Sequence, residues 1–451
     1  MTTETVGRPG TGRLLADQLG YAARELWRAR IVTVFTFLLP LTWLVIIGAV
    51  AGNERLDDGV RVMQFAAPSA VAMGVLYAAF PTVAITMAIA RERGILKRIR
   101  GTPLPPWTYV AGRIGGAVGF AVVAVATMLA IGVAGYDVRI LARSALATFV
   151  TLVVATACFA ALGLVAAVSP SAGVAQAVSI AAAVALSFVS ELFTIGAEVP
   201  AWLGRVGDVF PLKPFVTALR DQFNPFLTGS GWDLSALAVM AAWGIDGGLV
   251  AARAFSWDPA AGGRRAGAGA RTPRRRAGAL PGARLVAEAA GRPSAIASLL
   301  AQTRWANRAA WRDPGWVFFA VAMPVGLYAL VMAMLAPEGF RVSGIPIGVF
   351  YAASMTAYGA GVTAFVNMPE AVVAARDRGV LKRLRGTPLS PATYLAGRTV
   401  SVLWLALLTG LLVLAVGVAF HDVALPVSRV PVVMGVLVLG TLTLAACRFA
   451  V

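Results

Sequence analysis

The residues best suited to chemistry in this chain are arranged for charge-steered docking, not for bond-making. Arg91 to Arg113 reads RERGILKRIRGTPLPPWTYVAGR, and Arg376 to Arg398 reads RDRGVLKRLRGTPLSPATYLAGR. With Arg91 set against Arg376, 17 of the 23 positions are identical, and charges of the same sign recur at all seven charged positions. A plain basic loop holding lipid headgroups needs charge but no fixed order. Here the order itself repeats, which points to a surface read by a soluble partner. The candidate docking residues are Arg91, Glu92, Arg93, Gly94, Lys97, Arg98, Arg100, Thr102 and Pro103. In the second segment they are Arg376, Asp377, Arg378, Gly379, Lys382, Arg383, Arg385, Thr387 and Pro388.

Other chemistries find little material. The only lysines, Lys97, Lys213 and Lys382, each follow a leucine, so no Gly-Lys-Ser/Thr loop exists to cradle a nucleotide's phosphates. His421 is the sole histidine and has no ligand partners near it, so no metal site is expected. Cys158 and Cys447 lie in apolar segments, as small buried hydrophobes do. Ionisable groups deep in apolar segments are scarce. Asp246 is a candidate intramembrane polar contact, and Glu370 is expected to join Arg376 in the second basic segment's network.

The elements that must position these segments follow from composition. Of 451 residues, 59% are hydrophobic and 13% charged, too little polar surface to cover soluble domains of this length. Several apolar stretches reach the roughly 20 residues a spanning helix needs. The fold class is therefore all-α, a polytopic transmembrane helical bundle embedded in the lipid bilayer. Six spans are expected in the first half, at 31–51, 64–90, 114–135, 145–168, 173–193 and 234–252. About four follow, at 315–336, 345–370, 399–420 and 431–447. Leu14 to Arg30 patterns as an amphipathic helix on the membrane surface. Gly94 to Arg100 patterns as a short helix with Ile95, Leu96 and Ile99 on one face, stopped by Gly101, with Pro106 opening the next.

The net charge of +18 sits between spans, which argues against nucleic acid as a partner. By the positive-inside rule the basic segments and the N-terminus are cytoplasmic, while the loop with Glu54, Asp57 and Asp58 faces out. Arg139 and Arg143 run mildly against that rule. Upstream of the repeated segments, Trp27 and Pro40 share one register with Trp311 and Pro324; downstream, Asp137-Val138 aligns with Asp422-Val423. The expected organisation is a tandem duplication. Residues 1–257 form a first six-span domain, 258–293 a flexible Gly/Ala/Arg/Pro linker, and 294–451 a second domain cut short after four spans.

The pattern R-E-x-G-x-L-x-R-x-R-x-T-P with Y-x-x-G-R resembles type-2 permeases of ATP-binding-cassette exporters, with the bacterial drug and antibiotic exporters nearest. Pro200-Ala201-Trp202-Leu203, Phe210-Pro211-Leu212, Ala218-Leu219-Arg220 and the ending Phe255-Ser256-Trp257-Asp258 are similar to further family features. The resemblance implies that Arg91–Thr102 and Arg376–Thr387 are coupling helices docking on a nucleotide-binding ATPase subunit. That subunit would hold ATP and Mg, with no cofactor on this chain. It also implies export of a small hydrophobic or amphipathic substrate across the bacterial plasma membrane. The short second copy leaves two expectations: the protein continues past Val451, or a second permease chain completes the bundle. The rival reading is an ion-coupled secondary transporter with parallel repeats.

Overall fold

The computed structural model describes residues 11–28, 34–51, 54–55, 59–102, 104–192, 201–254, 294–335, 341–342, 344–387, 389–421, 423 and 427–450. Pro103, Pro388, the Phe255–Asp258 ending and the expected 258–293 linker lie outside them. The chain divides into two compact units, Met1–Gly269 and Ala270–Val451.

In the first unit, the surface helix α1 (Thr11–Arg28) precedes a π-helical turn, Val34–Leu38, that runs into α2 (Leu39–Ala51). Then come α3 (Met63–Glu92), the short α4 (Ile95–Arg100), α5 (Pro106–Tyr136), α6 (Ala145–Ala166) and α7 (Ala172–Val189). Two short helices, α8 (Ala201–Val209) and α9 (Leu212–Phe223), lead to α10 (Leu234–Ala254).

Helix α3 is the hub. Of its apolar stretch 89% is buried, against no more than 50% for any other candidate span among the described residues. Its many Ala, Gly and Ser positions let neighbouring backbones approach closely, the packing mode available where lipid is the solvent. A Cβ on Gly163 of α6 would stand 2.6 Å from the Phe80 carbonyl oxygen. Pro81 cannot donate to the Tyr77 carbonyl, and the Thr82 hydroxyl does so instead at 2.8 Å.

The second unit begins with α11 (Ala295–Trp311) and α12 (Pro314–Val317), followed by a π turn, Phe318–Ala322, and α13 (Met323–Leu335). A two-residue hairpin, β1 (Arg341–Val342) with β2 (Ile345–Pro346), precedes α14 (Ile347–Gly361). The turn Val362–Asn367 is again π-helical and runs into α15 (Met368–Asp377). Short α16 (Val380–Leu384), α17 (Pro391–His421) and α18 (Val430–Ala450) complete the described unit.

Among the described residues nine helices are long and apolar enough to cross a membrane, five in the first unit and four in the second. The stretch expected as a first span, 31–51, is a shorter apolar helix, and Ile31–Thr33 lie outside the described residues. Helix α5 starts at Pro106, two turns ahead of the expected span, because proline suits the first helical turn. The expected non-crossing segment between spans five and six is the helix pair α8 and α9.

Candidate functional site

Each repeated basic segment folds as a short helix between two long ones, and the two are built alike. Gly94 and Gly379 both adopt the left-handed conformation, with φ 69° at each. That reversal lets the chain leave a spanning helix and start the next within two residues. At the far end the Thr102 hydroxyl donates to the Ile99 carbonyl at 2.6 Å, and Thr387 does the same to Leu384 at 2.6 Å. Leu96 is fully buried in the main core, with Ile95 and Ile99 packed beside it. This turns Arg93, Lys97, Arg98 and Arg100 outward, where they are exposed. In the second unit Arg376, Asp377, Arg378, Lys382, Arg383, Arg385 and Thr387 are all exposed, and Leu381 is half-buried.

The first segment is also clamped from the side. Arg91 is buried, and its guanidinium donates to the Ser169 carbonyl. The Glu92 carboxylate accepts the Ala172 N–H at 2.7 Å, at the N-terminus of α7 where the helix dipole favours negative charge. The end of α3 and the start of α7 are thus fastened to the root of α4. In the second unit Arg376 and Asp377 make no such clamp among the described residues. Glu370 makes no ion pair with Arg376 among the described residues, and its electrostatic neighbour is Asp313.

Surface helices brace both segments. In the first unit Arg113 pairs with Glu25 of α1 at 2.9 Å and donates to the Tyr109 hydroxyl at 2.8 Å. Gly112 permits the crossing: a Cβ there would lie 2.6 Å from Gln18 Cβ. In the second unit a Cβ on Gly397 would lie 2.6 Å from Gln302 Cβ, so α11 crosses α17 in the same register.

At the opposite end of the first unit lies a polar network. The buried Gln64 amide donates to the carbonyls of Phe223 at 2.8 Å and Arg139 at 3.0 Å and accepts the Arg139 N–H at 2.8 Å. Arg143 donates to the Asn224 carbonyl at 2.6 Å, and Arg220 to Ser69 Oγ and the Glu191 carbonyl. Burial lowers the pKa of Arg220. Burial also acts to lower that of Lys213, but its contacts with Asp208 at 2.9 Å and Glu191 at 3.2 Å outweigh it and raise the value. Arg143 thus staples the loop through its side chain, whereas Arg139 contributes only backbone groups to the anchor.

An apolar groove of about 690 Å³ runs along the first unit between α3, α5, α6 and α10, lined by residues such as Met87, Trp107, Ile114, Cys158, Gly244 and Gly248. Met87, Trp107 and Leu164 all come from the ends of their helices nearest α4. Asp246 is exposed and lies outside this lining. At ~100° per residue it falls on the face of α10 opposite Gly244 and Gly248. Among the described residues no group of His, Cys, Asp and Glu could hold a metal ion.

The contacts from Glu25, Gln64, Arg220 and Gln222 were not evident in the sequence pattern. The one available signal was isolated polar groups in strongly apolar or amphipathic helices, and their partners lie far off along the chain.

Residues 20–224 match the ABC-2 type transporter family, whose domain is the membrane-spanning permease component of an ABC transporter. Permeases of this family normally pair with an ATP-binding subunit. The match takes in α4, its clamp on α7 and the polar network through α9. No curated protein and no solved structure matches the chain.

Proposed function

We propose that the chain is a duplicated permease subunit of an ABC exporter in the bacterial plasma membrane, with its N-terminus cytoplasmic. It moves a hydrophobic or amphipathic substrate (a drug, an antibiotic or a lipid) out of the cell. ATP and Mg²⁺ are bound and ATP is hydrolysed by a separate nucleotide-binding subunit. The observation that carries this reading is the matched pair α4 and α16. Each opens on a left-handed glycine, closes on a threonine cap and presents Lys-Arg to the outside.

Docking places one nucleotide-binding subunit against Arg93, Lys97, Arg98 and Arg100 and another against Arg378, Lys382, Arg383 and Arg385. Closure of those subunits on ATP pushes α4. Because Leu96 is rooted in the core and Arg91 and Glu92 hold the start of α7, the push moves helices rather than a loose loop. The apolar groove beside α4 suits a substrate drawn from the membrane, with Trp107 at its margin.

Inside-out vesicles holding the permease and its ATPase subunit should accumulate an amphipathic dye only when ATP is supplied. Accumulation driven by an imposed proton or sodium gradient without ATP would instead establish an ion-coupled carrier.

A further inference from the structure

The two surface-helix crossings share a register but not a charge balance. In the first unit Arg113 is neutralised by Glu25. Gln18 and Gln302 occupy the same contact against Gly112 and Gly397, so the α11 position equivalent to Glu25 is Ala309. Asp17 is likewise replaced, by Ala301. Helix α11 therefore carries no acidic residue, while Arg304 and Arg308 are exposed on it and Arg312 follows.

Arg398 is nevertheless held in place. Its Nε donates to the Tyr394 hydroxyl at 3.0 Å. Its guanidinium carbon lies 5.3 Å from the Tyr394 ring centroid and 5.7 Å from that of Trp305, a half-exposed interfacial indole. Neither terminal amino group has an acceptor among the described residues, and no carboxylate among them reaches it. A fixed, half-buried guanidinium fork beside an indole, at the start of a spanning helix, has the chemistry that takes a phosphate with two parallel hydrogen bonds.

We propose that Arg398, framed by Trp305 and Tyr394 in the crossing of α11 and α17, binds the phosphate of an anionic glycerophospholipid. The lipid lies in the leaflet that α11 rests on, and it fills the role that Glu25 plays in the first unit. A lipid is favoured over a dissolved anion because α11 crosses the start of a spanning helix, and the exposed Arg304, Arg308 and Arg312 add attraction for an acidic leaflet.

The test uses the full chain in detergent, with phosphatidylglycerol binding read by native mass spectrometry and a matched titration with phosphatidylcholine. Arg398→Gln should lower the affinity of one phosphatidylglycerol site roughly tenfold or more, as loss of a charge-assisted contact predicts. Ala309→Glu, which restores the first unit's pairing with every original side chain but one kept, should abolish the same site. Phosphatidylcholine, whose ammonium offsets its phosphate charge, should bind more weakly in wild type and lose less affinity than phosphatidylglycerol in both variants. Wild-type phosphatidylglycerol affinity in Ala309→Glu would overturn the proposal. Displacement of the lipid by millimolar inorganic phosphate would overturn the lipid as the source.

Discussion

Replacing Leu96 by alanine should detach α4 from the first unit while leaving the spanning helices folded. A six-residue helix has little stability of its own, because nucleation costs more than so few hydrogen bonds return. Its order depends on Leu96, which is fully buried, and on the caps at Gly94 and Thr102. Truncating a fully buried leucine to alanine costs about 2–5 kcal/mol. The lower figure already corresponds to about a 30-fold change in an opening equilibrium. Amides of residues 95–100 should therefore lose at least that much hydrogen-exchange protection, with those at the middle of α3 unchanged. Leu381 is less completely buried than Leu96, so Leu381→Ala should cost less and loosen α16 by a smaller factor. Exchange measured by mass spectrometry on the two variants checks both values. Equal protection in wild type and Leu96→Ala, or a larger effect at Leu381 than at Leu96, would refute the anchoring argument.

Glu25→Ala should lower thermal stability in detergent by about 2 kcal/mol. That is less than the roughly 3–5 kcal/mol of a fully buried pair, because the Glu25 side chain is 32% exposed while Arg113 is 5% exposed. Gly112→Ala should separate α1 from α5, since the new Cβ would sit 2.6 Å from Gln18 Cβ, whereas Gly119→Ala, with nothing within 4 Å, should be neutral. A cysteine cross-link between α1 and α5 would report the separation. Asp233→Ala should cost about 1 kcal/mol by removing the N-cap of α10, where Asp233 accepts from the Ala236 amide at 2.9 Å and the Ser235 hydroxyl at 2.6 Å. Burial acts to raise the Asp233 pKa, but these bonds outweigh it and hold the value below the ordinary one. Its contribution is thus full above the ordinary carboxylate range and fades as pH falls through the lowered pKa. Melting curves of wild type and variant should accordingly converge at low pH.

Spans and the short basic helices were legible in the sequence because each rests on a local pattern. Apolar runs mark the long helices, and Ile95, Leu96 and Ile99 on one face with Gly101 behind them mark the short one; the left-handed start at Gly94 and the Thr102 cap come from the structure, in which Gly101 itself stays right-handed. The clamp of Arg91 and Glu92 on α7 was not legible, since Ser169 and Ala172 offer only backbone groups and no side-chain type announces that. Nor were the π-helical turns at Val34–Leu38 and Phe318–Ala322, which occupy equivalent positions just before Pro40 and Pro324. A proline ring forces the preceding turn to widen, but sequence alone leaves open whether it kinks, breaks or bulges. Asp246 drew attention as a rare charge in an apolar run, yet the groove lies on the other face of its helix. The groove is lined by ordinary apolar residues that carry no distinguishing signal.

If α4 and α16 are the handles on which nucleotide-binding subunits dock, reversing their charge should release those subunits. The most direct measurement is co-purification of the ATPase subunit with wild type and with the double variant Arg98→Glu, Arg383→Glu. Both arginines are exposed on short helices, so reversal should leave the fold intact. The double variant should keep the wild-type elution profile and lose the ATPase from the complex. Retention of the ATPase at the wild-type ratio would contradict it.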